Sequence, residues 1–190
     1  MNVHTDHRVL LAYSISVFLF LSLIVAILPA LEIQKTPPLA GIKPLDDIAQ
    51  RGRDLYLKEG CGTCHTQFVR DLPMDAPYGR GSVAGDYALE DPPLLGSQRT
   101  GPDLTNIGMR QPSETWHLIH LYNPRSVVPT SVMPGYPWYF AVKDEAETSD
   151  IELPLPPEFK PTGKTVVATE DAIALVRYLQ SLHQVPLEQP

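Results

Sequence analysis

The pentapeptide Cys61-Gly62-Thr63-Cys64-His65 constrains this chain more than any other feature. Two cysteines three positions apart, with a histidine directly behind, form the attachment pattern of a c-type haem. The spacing has a steric reason. At a helix end the two thiols sit on neighbouring turns, within reach of the two vinyl groups of one porphyrin. The imidazole that follows then swings under the ring to ligate iron. A thioredoxin-like C-x-x-C needs a strand-then-helix context, and a structural zinc site needs more thiolates or suitably placed imidazoles. Cys61 and Cys64 are the only cysteines, so no disulfide framework competes for them. One covalent haem c is the cofactor expected.

Residues 9–31 carry no charged side chain and are dominated by Leu, Ile, Val, Phe and Ala. At about 1.5 Å rise per residue this run covers the roughly 30 Å hydrocarbon core of a bilayer, with some tilt. A cleaved signal peptide has an apolar core of only about 7–15 residues and a small-residue cleavage site. Leu28-Pro29-Ala30 is a poor site of that kind because Leu28 is bulky. An uncleaved, single-span anchor is therefore favoured, leaving residues 1–8 as a short cytoplasmic N-terminus. Arg8 is the only Lys or Arg ahead of the span, which weakly places that end inside. Bacterial c-type haems are attached outside the cytoplasmic membrane, so residue 61 belongs in the periplasm. Both arguments give a single-pass protein of the bacterial inner membrane with its haem domain in the periplasm.

Residues 32–44 contain Pro37, Pro38, Gly41 and Pro44 and read as an extended, Pro-rich linker. Residues 45–190 then form one domain, as expected of a 190-residue chain that also carries an anchor. A first helix is expected from Asp46 or Asp47 to the haem motif, with Ile48, Gly52, Leu55 and Tyr56 on one face. Glycine in mid-helix costs about 1 kcal/mol against Ala, so Gly52 implies a second backbone passing close by. A last helix is expected over about 169–182, capped by Thr169, with Leu175, Tyr178, Leu179 and Leu182 as its apolar stripe. First and last helices crossing at a glycine ahead of C-x-x-C-H resemble class I cytochromes c. The fold class implied is mostly α: a single N-terminal transmembrane helix plus a class I cytochrome c domain with long haem-wrapping loops.

A haem held by His65 can take a second axial ligand. Met1 precedes the anchor, Met74 lies close behind His65, and Met109 sits in a turn before a helix expected over 113–123. Met133 lies in Val128-Pro129-Thr130-Ser131-Val132-Met133-Pro134-Gly135-Tyr136, a stiff, helix-free loop able to hold a thioether over the distal face. Buried Met is more often packing than ligand, but its position makes Met133 the candidate. Methionine in place of a second histidine raises the reduction potential. His4 and His7 lie on the wrong side of the anchor. His117 and His120 lie on the 113–123 helix, where they bind a propionate or face solvent, and His183 is read as surface. Arg99, Tyr136 and Trp138 flank the ligand segments and are candidates to neutralise or hydrogen-bond buried propionates.

The run Arg99-Thr100-Gly101-Pro102-Asp103-Leu104 resembles the G-P-D-L loop of class I cytochromes c. That resemblance implies that the Pro102 carbonyl accepts a hydrogen bond from the proximal histidine ring, fixing its tautomer. More specific are "GCGTCHTQFVR", "YGRGSVAGDY", "LLGSQRTGPDL" and "WHLIHLYNPRSVVPTSVMPGYPW". Together they resemble the monohaem subunit (subunit II, the O subunit) of cbb3-type cytochrome c oxidases. The segment 71–77 and the anchor depart from that family's pattern. The resemblance implies covalent haem c at Cys61 and Cys64, axial ligation by His65 and Met133, and no active site of its own. It implies as partners the catalytic haem-copper oxidase subunit and a di-haem cytochrome c subunit. Electrons would pass from a donor cytochrome to a low-spin haem b in the catalytic subunit, serving O2 reduction to water.

Two other classes share the plan of an anchor plus one haem. They are the small cytochrome subunit of a nitric-oxide reductase and an independent membrane-tethered carrier. The loop over 66–111 is longer than haem wrapping requires, which argues for subunit contacts and against the second. A net charge of −7 and a pI near 5.3 give no support to nucleic-acid binding. The Pro-rich, acidic segment 143–164 reads as a solvated surface insertion, with a docking lip for a basic donor as the sharper alternative.

Overall fold

The computed structural model describes residues 6–187. Most of the expected N-terminal segment, with Met1 and His4, and the last three residues lie outside that range. Helix α1 (His7–Ile33) is apolar and long enough to cross a membrane. Asp6 caps it by accepting from the Arg8 backbone N–H at 3.1 Å. Its turns over Leu23–Ile27 are π-helical, immediately before Pro29. Proline offers no N–H to the carbonyl four residues earlier and its ring crowds that carbonyl, so the helix widens there. The helix outruns the apolar stretch 9–31 by two residues at each end.

The regular structure of the rest is mostly helical and is joined by long loops. Helix α2 (Asp47–Lys58) starts where the Asp46 carboxylate accepts from the Ala49 N–H at 2.7 Å. It ends at Gly60, whose φ of 68° supplies the left-handed residue that closes a helix and launches the next turn. Two short helices follow the long loop, α3 (Ile107–Arg110) and α4 (Glu114–Tyr122), the latter capped by Ser113. Helix α5 (Glu170–Ser181) is capped by Thr169 and carries Glu170 and Asp171 at its positive end.

Helices α2 and α5 cross at Gly52. A Cβ built there would lie 1.9 Å from the Ala174 carbonyl oxygen, so the close approach implied by a mid-helix glycine is real. Gly108 makes the same accommodation for α3, where a Cβ would lie 2.1 Å from the Gln180 carbonyl oxygen. Tyr56 and Tyr178 meet edge to face across the crossing at 5.4 Å, both almost fully buried. Leu118, Leu175 and Val176 extend this core. Arg177 to Asp46 and Arg51 to Asp171 bridge the same helices from outside. Exposed pairs of this kind contribute about 0–1 kcal/mol each. The crossing therefore rests on backbone fit and apolar burial.

Two features depart from the sequence reading. A two-stranded antiparallel sheet joins β1 (Phe140–Lys143) to β2 (Thr165–Ala168), with Phe140 opposite Ala168. The acidic segment between these strands is not a free insertion. Leu153 and Leu155 are buried in the core, and the Leu153 N–H donates to the Val166 carbonyl at 2.9 Å. Nor are its carboxylates free to act as one patch, because Lys143 bonds Asp150 and Glu147, Lys160 bonds Glu152, and Lys164 bonds Asp144. An alternating record of two buried leucines amid acids hid a strand-like pairing.

Gly52→Ala checks the crossing by the sign of its effect. In an open helix the change gains about 1 kcal/mol; here it forces two backbones apart and should lose about 1–3 kcal/mol. Denaturant unfolding of the purified, detergent-solubilised chain reads that sign directly.

Candidate haem site

The C-x-x-C-H segment leaves Gly60 as a single 3-10 turn over Cys61–Thr63. The Cys64 and His65 N–H groups both donate to the Cys61 carbonyl, at 3.2 and 3.0 Å. The turn thus puts two thiols and an imidazole on one rigid scaffold. Cys61 is half-buried and Cys64 exposed. Burial pushes the Cys61 thiol up to about 11, with the nearby Glu59 carboxylate adding to the shift, so it is protonated at neutral pH.

Loop 95–104 cradles that turn. Ser97 N–H donates to Gly62 O, Gly101 N–H to Cys64 O, Leu104 N–H to Thr66 O, and Gln67 N–H to Leu95 O. His65 Nδ1 lies 2.7 Å from the Pro102 carbonyl oxygen. A carbonyl only accepts, so Nδ1 carries the proton and Nε2 keeps its lone pair for a metal. Burial draws the His65 pKa below its ordinary value, partly offset by that hydrogen bond and by Asp103. The ring is neutral at pH 7, as a ligand must be. Two glycines are obligatory here. A Cβ on Gly101 would lie 2.2 Å from His65 Cε1, and one on Gly96, whose φ is 78°, would lie 2.3 Å from the His65 carbonyl oxygen. Gly101 stands in the motif that pointed to Pro102, yet its packing against the ring is visible only in three dimensions.

The three described methionines sort by burial. Met74 is 70% and Met109 68% exposed, whereas Met133 is half-buried against the core. Its loop is pinned to the end of α4, where the Tyr136 N–H donates to the Leu121 carbonyl at 2.8 Å. A Cβ on Gly135 would lie 2.6 Å from the Tyr122 carbonyl oxygen, so the loop runs hard against the helix. Tyr136 is buried, and burial pushes its hydroxyl up to about 12, with Cys61 beside it. Trp138 is 59% exposed and stands edge-on to Tyr136 at 5.3 Å.

Arg99, the flanking charge expected to neutralise a propionate, makes an extensive set of hydrogen bonds within the protein. Nε donates to Thr66 Oγ1 at 2.6 Å, Nη1 to Asp75 at 2.5 Å, and Nη2 to the Phe68 carbonyl, Asp75 and Asp103 at 2.7, 2.9 and 3.2 Å. Asp75 is fully buried and also accepts from Arg70. Hydrogen bonds from Arg70 and Arg99 hold its carboxyl far below the usual carboxylate range. For Asp103 burial pushes upward, but donors from Thr66, Thr105 and Phe68 prevail and leave it lowered. This network ties the segment after the haem motif to the loop that bears Pro102. Sequence reading missed it because Asp75 lies in a stretch with no periodicity, and a fully buried carboxylate is uncommon.

The histidines also resolve. His117 is buried with Nε2 2.8 Å from the Gln111 carbonyl, and His183 is exposed. His120 stacks on Trp116 at 4.6 Å and 9°, and its Nδ1 is buried without a partner. A cavity of about 700 Å³ lies elsewhere, between the linker and the crossing helices, and none of Cys61, Cys64, His65 or Met133 lines it.

Two thiols, an imidazole with a free Nε2 and a half-buried thioether form a donor set suited to an iron porphyrin. Loop 95–104 holds the His65 ring in a tight glycine cradle, and the buried Nδ1 of His120 has no partner within the described residues. Such a donor set fits a haem-binding electron-transfer protein. Residues 2–157 match the family described as cytochrome c oxidase, mono-heme subunit/FixO, and the chain belongs to that family. It is a monohaem cytochrome subunit of a cbb3-type oxidase. Comparison with curated proteins gave no significant match.

Arg99→Leu should weaken the protein without removing its thiols or imidazole. The linkage has a definite sign: carboxyls with depressed folded pKa values contribute stability above their unfolded pKa and lose it as pH falls. The melting temperature should drop by several degrees at neutral pH. The gap to the parent should narrow on acidification below the ordinary carboxylate pKa of about 4. Thermal melts across pH check both statements.

Proposed function

We propose that this subunit relays single electrons from a donor cytochrome to the haem b and copper catalytic subunit of a terminal oxidase that reduces O2 to water. Cys61 and Cys64 would hold one haem c by thioethers, and His65 and Met133 would ligate its iron. The haem domain stands in the periplasm, tethered by α1, with a di-haem cytochrome c subunit as neighbour. When bound, the haem supplies reversible one-electron chemistry at iron.

The chain's own residues supply binding and tuning. Pro102 holds the His65 tautomer, and Gly101 lets the loop reach the ring. With His65 and Met133 both given to the iron, the subunit would offer O2 or NO no place to bind and would perform no bond-making chemistry itself. The observation that carries this reading is the 2.7 Å contact between His65 Nδ1 and Pro102, made on a C-x-x-C-H turn in a chain of this family. In the acidic segment 143–164, Lys143, Lys160 and Lys164 pair with Asp150, Glu152 and Asp144.

Gentle solubilisation and purification through this chain should bring down haem b and copper together with O2 consumption. Recovery of NO consumption instead would make it a nitric-oxide reductase subunit, and recovery of the chain alone would make it an independent carrier. Met133→Ala should keep a haem-stained band of unchanged mobility, since the thioethers are untouched. It should lose the red-edge absorbance of ferric methionine–iron ligation and lower the potential. Persistence of that absorbance would remove Met133 from the iron.

A further inference from the structure

The cavity of about 700 Å³ between the linker and the crossing helices takes no part in electron transfer as read above. Its volume falls within the roughly 300–1,000 Å³ usual for small-molecule sites. Arg53 of α2 lines it and is only 6% exposed. A guanidinium has five N–H donors, and Arg53 uses one of them, from Nη2 to the Pro92 carbonyl. It forms no ion pair among the described residues. A buried guanidinium without a counter-charge is costly, so it points to an anion. Glu90 lines the same cavity. Burial raises its carboxyl above the ordinary range, and the Leu94 N–H and the Arg53 charge offset this only in part. Two opposite charges therefore share one cavity without bonding each other. Neighbouring charges are matched, Arg177 by Asp46 and Asp86 by Arg80.

The lining also supplies apolar surface. Ile42 and Leu45 of the linker are half-buried there, and Leu89 is 48% exposed. A matching ligand carries an anionic group for Arg53, a cation for Glu90, and hydrocarbon beside both. A simple inorganic anion answers only the first of these. Position along the chain supplies the source. The membrane helix ends at Ile33, and the first linker residue on the cavity is Gly41, eight residues on. Fully extended, eight residues span at most about 29 Å. The cavity therefore lies within that distance of the end of the membrane helix. Its linker wall is held in place, because the Leu39 N–H donates to the Gly85 carbonyl and Gly41 packs on Val185.

We infer that this cavity binds the headgroup of a zwitterionic membrane phospholipid of the phosphatidylethanolamine kind, its phosphate on Arg53 and its primary ammonium on Glu90. The inference is independent of the haem ligands and rests on the reading of α1 as a membrane span. Two oxygens of a phosphodiester match the planar guanidinium fork. An ammonium has three donors to give to carboxylate oxygens, and Asp91 lines the cavity next to Glu90. The glycerol and first acyl carbons lie against Ile42, Leu45 and Leu89. Phosphatidylglycerol brings no cation for Glu90, and the quaternary nitrogen of phosphatidylcholine has no N–H to donate. Both should therefore bind less well. A lipid held here touches the linker, α2 and the segment around Glu90 at once, and so fastens the domain to the bilayer at a second point besides the anchor.

The test uses the full-length, haem-loaded chain. Its first control is retention in membranes washed with alkaline carbonate; release would overturn the span reading, and this inference with it. The retained chain is placed in nanodiscs of phosphatidylethanolamine, phosphatidylglycerol and phosphatidylcholine, with one lipid at a time carrying a photoreactive group near its glycerol. Lipid around the anchor labels α1 in every case. Phosphatidylethanolamine should in addition label residues 41–46 and 87–91, well above the other two lipids. Arg53→Gln should cut that second labelling about tenfold, the factor that a charge-assisted hydrogen bond of about 1.5 kcal/mol yields at 1.4 kcal/mol per decade. Arg53→Lys should recover part of it. Glu90→Gln should erase the preference for phosphatidylethanolamine over phosphatidylglycerol. Labelling confined to α1, equal labelling by all three lipids, or labelling unchanged in Arg53→Gln would each overturn the inference. Loss of the second labelling on adding inorganic phosphate would make this a site for free phosphate and overturn the lipid assignment. Should Arg53→Gln not retain haem, Glu90→Gln decides, since an unchanged lipid preference there would also overturn it.

Discussion

The contact between Gly52 and the Ala174 carbonyl governs what the rest of the domain can do. Two helices from opposite ends of the domain meet there backbone to backbone, so the start of the haem turn is fixed relative to α5 rather than to its own sequence neighbours. Helix α2 ends only a few residues later at Gly60, whose left-handed backbone aims the C-x-x-C-H turn away from the helix axis. Every element that touches the turn afterwards inherits this placement. Loop 95–104 is hydrogen-bonded to it, α3 is pressed against α5 through Gly108, and α4 carries the methionine loop. A softer crossing would let the imidazole and the thioether drift apart, and ligand geometry tolerates little drift.

The features legible in the sequence are those that depend on local chemistry. The anchor, the caps at Asp46 and Thr169 and the crossing glycine follow from residue types at short spacing, whereas the pairing of His65 with Pro102, far apart in the chain, is legible only through the resemblance to class I cytochromes c. What stayed hidden needs long-range pairing. Asp75 is an ordinary loop aspartate until Arg70 and Arg99 close on it, and Arg99 is an ordinary flanking charge until it is seen filled by Thr66, Phe68, Asp75 and Asp103. The sheet was hidden for a related reason. Its strands are only four residues long and lie on either side of an acidic, Pro-rich stretch, so neither shows a periodicity that stands out from its surroundings.

The Arg70–Asp75–Arg99–Asp103 network shows how a buried charge is made tolerable. An isolated carboxylate sealed from water would take up a proton rather than stay charged. Asp75 escapes that because two guanidinium groups and the Arg70 backbone N–H saturate its oxygens. The network lies beside the proximal ligand, since Asp103 follows Pro102 and its charge reaches His65. It thereby locks the loop that fixes the tautomer and keeps the Asp103 carboxylate close to His65.

The linker also behaves differently from a free tether. Proline and glycine content suggested an extended spacer, and the segment is extended, yet it is laid onto the domain. Leu39 N–H donates to the Gly85 carbonyl, Gly85 has no room for a Cβ beside the Leu39 side chain, and Gly41 packs on Val185. A chain fastened this way has few conformations between the membrane helix and the domain, so the domain is not free to sweep a wide volume above the bilayer. Roaming would suit a carrier that must find scattered partners. Restraint suits a subunit whose donor and acceptor are held in one assembly, where a fixed short distance matters more than reach. The residues that restrain the linker, Gly85 above all, come from the long loop after the haem motif. That loop therefore does two things at once: it wraps the site and it fixes the domain to its anchor.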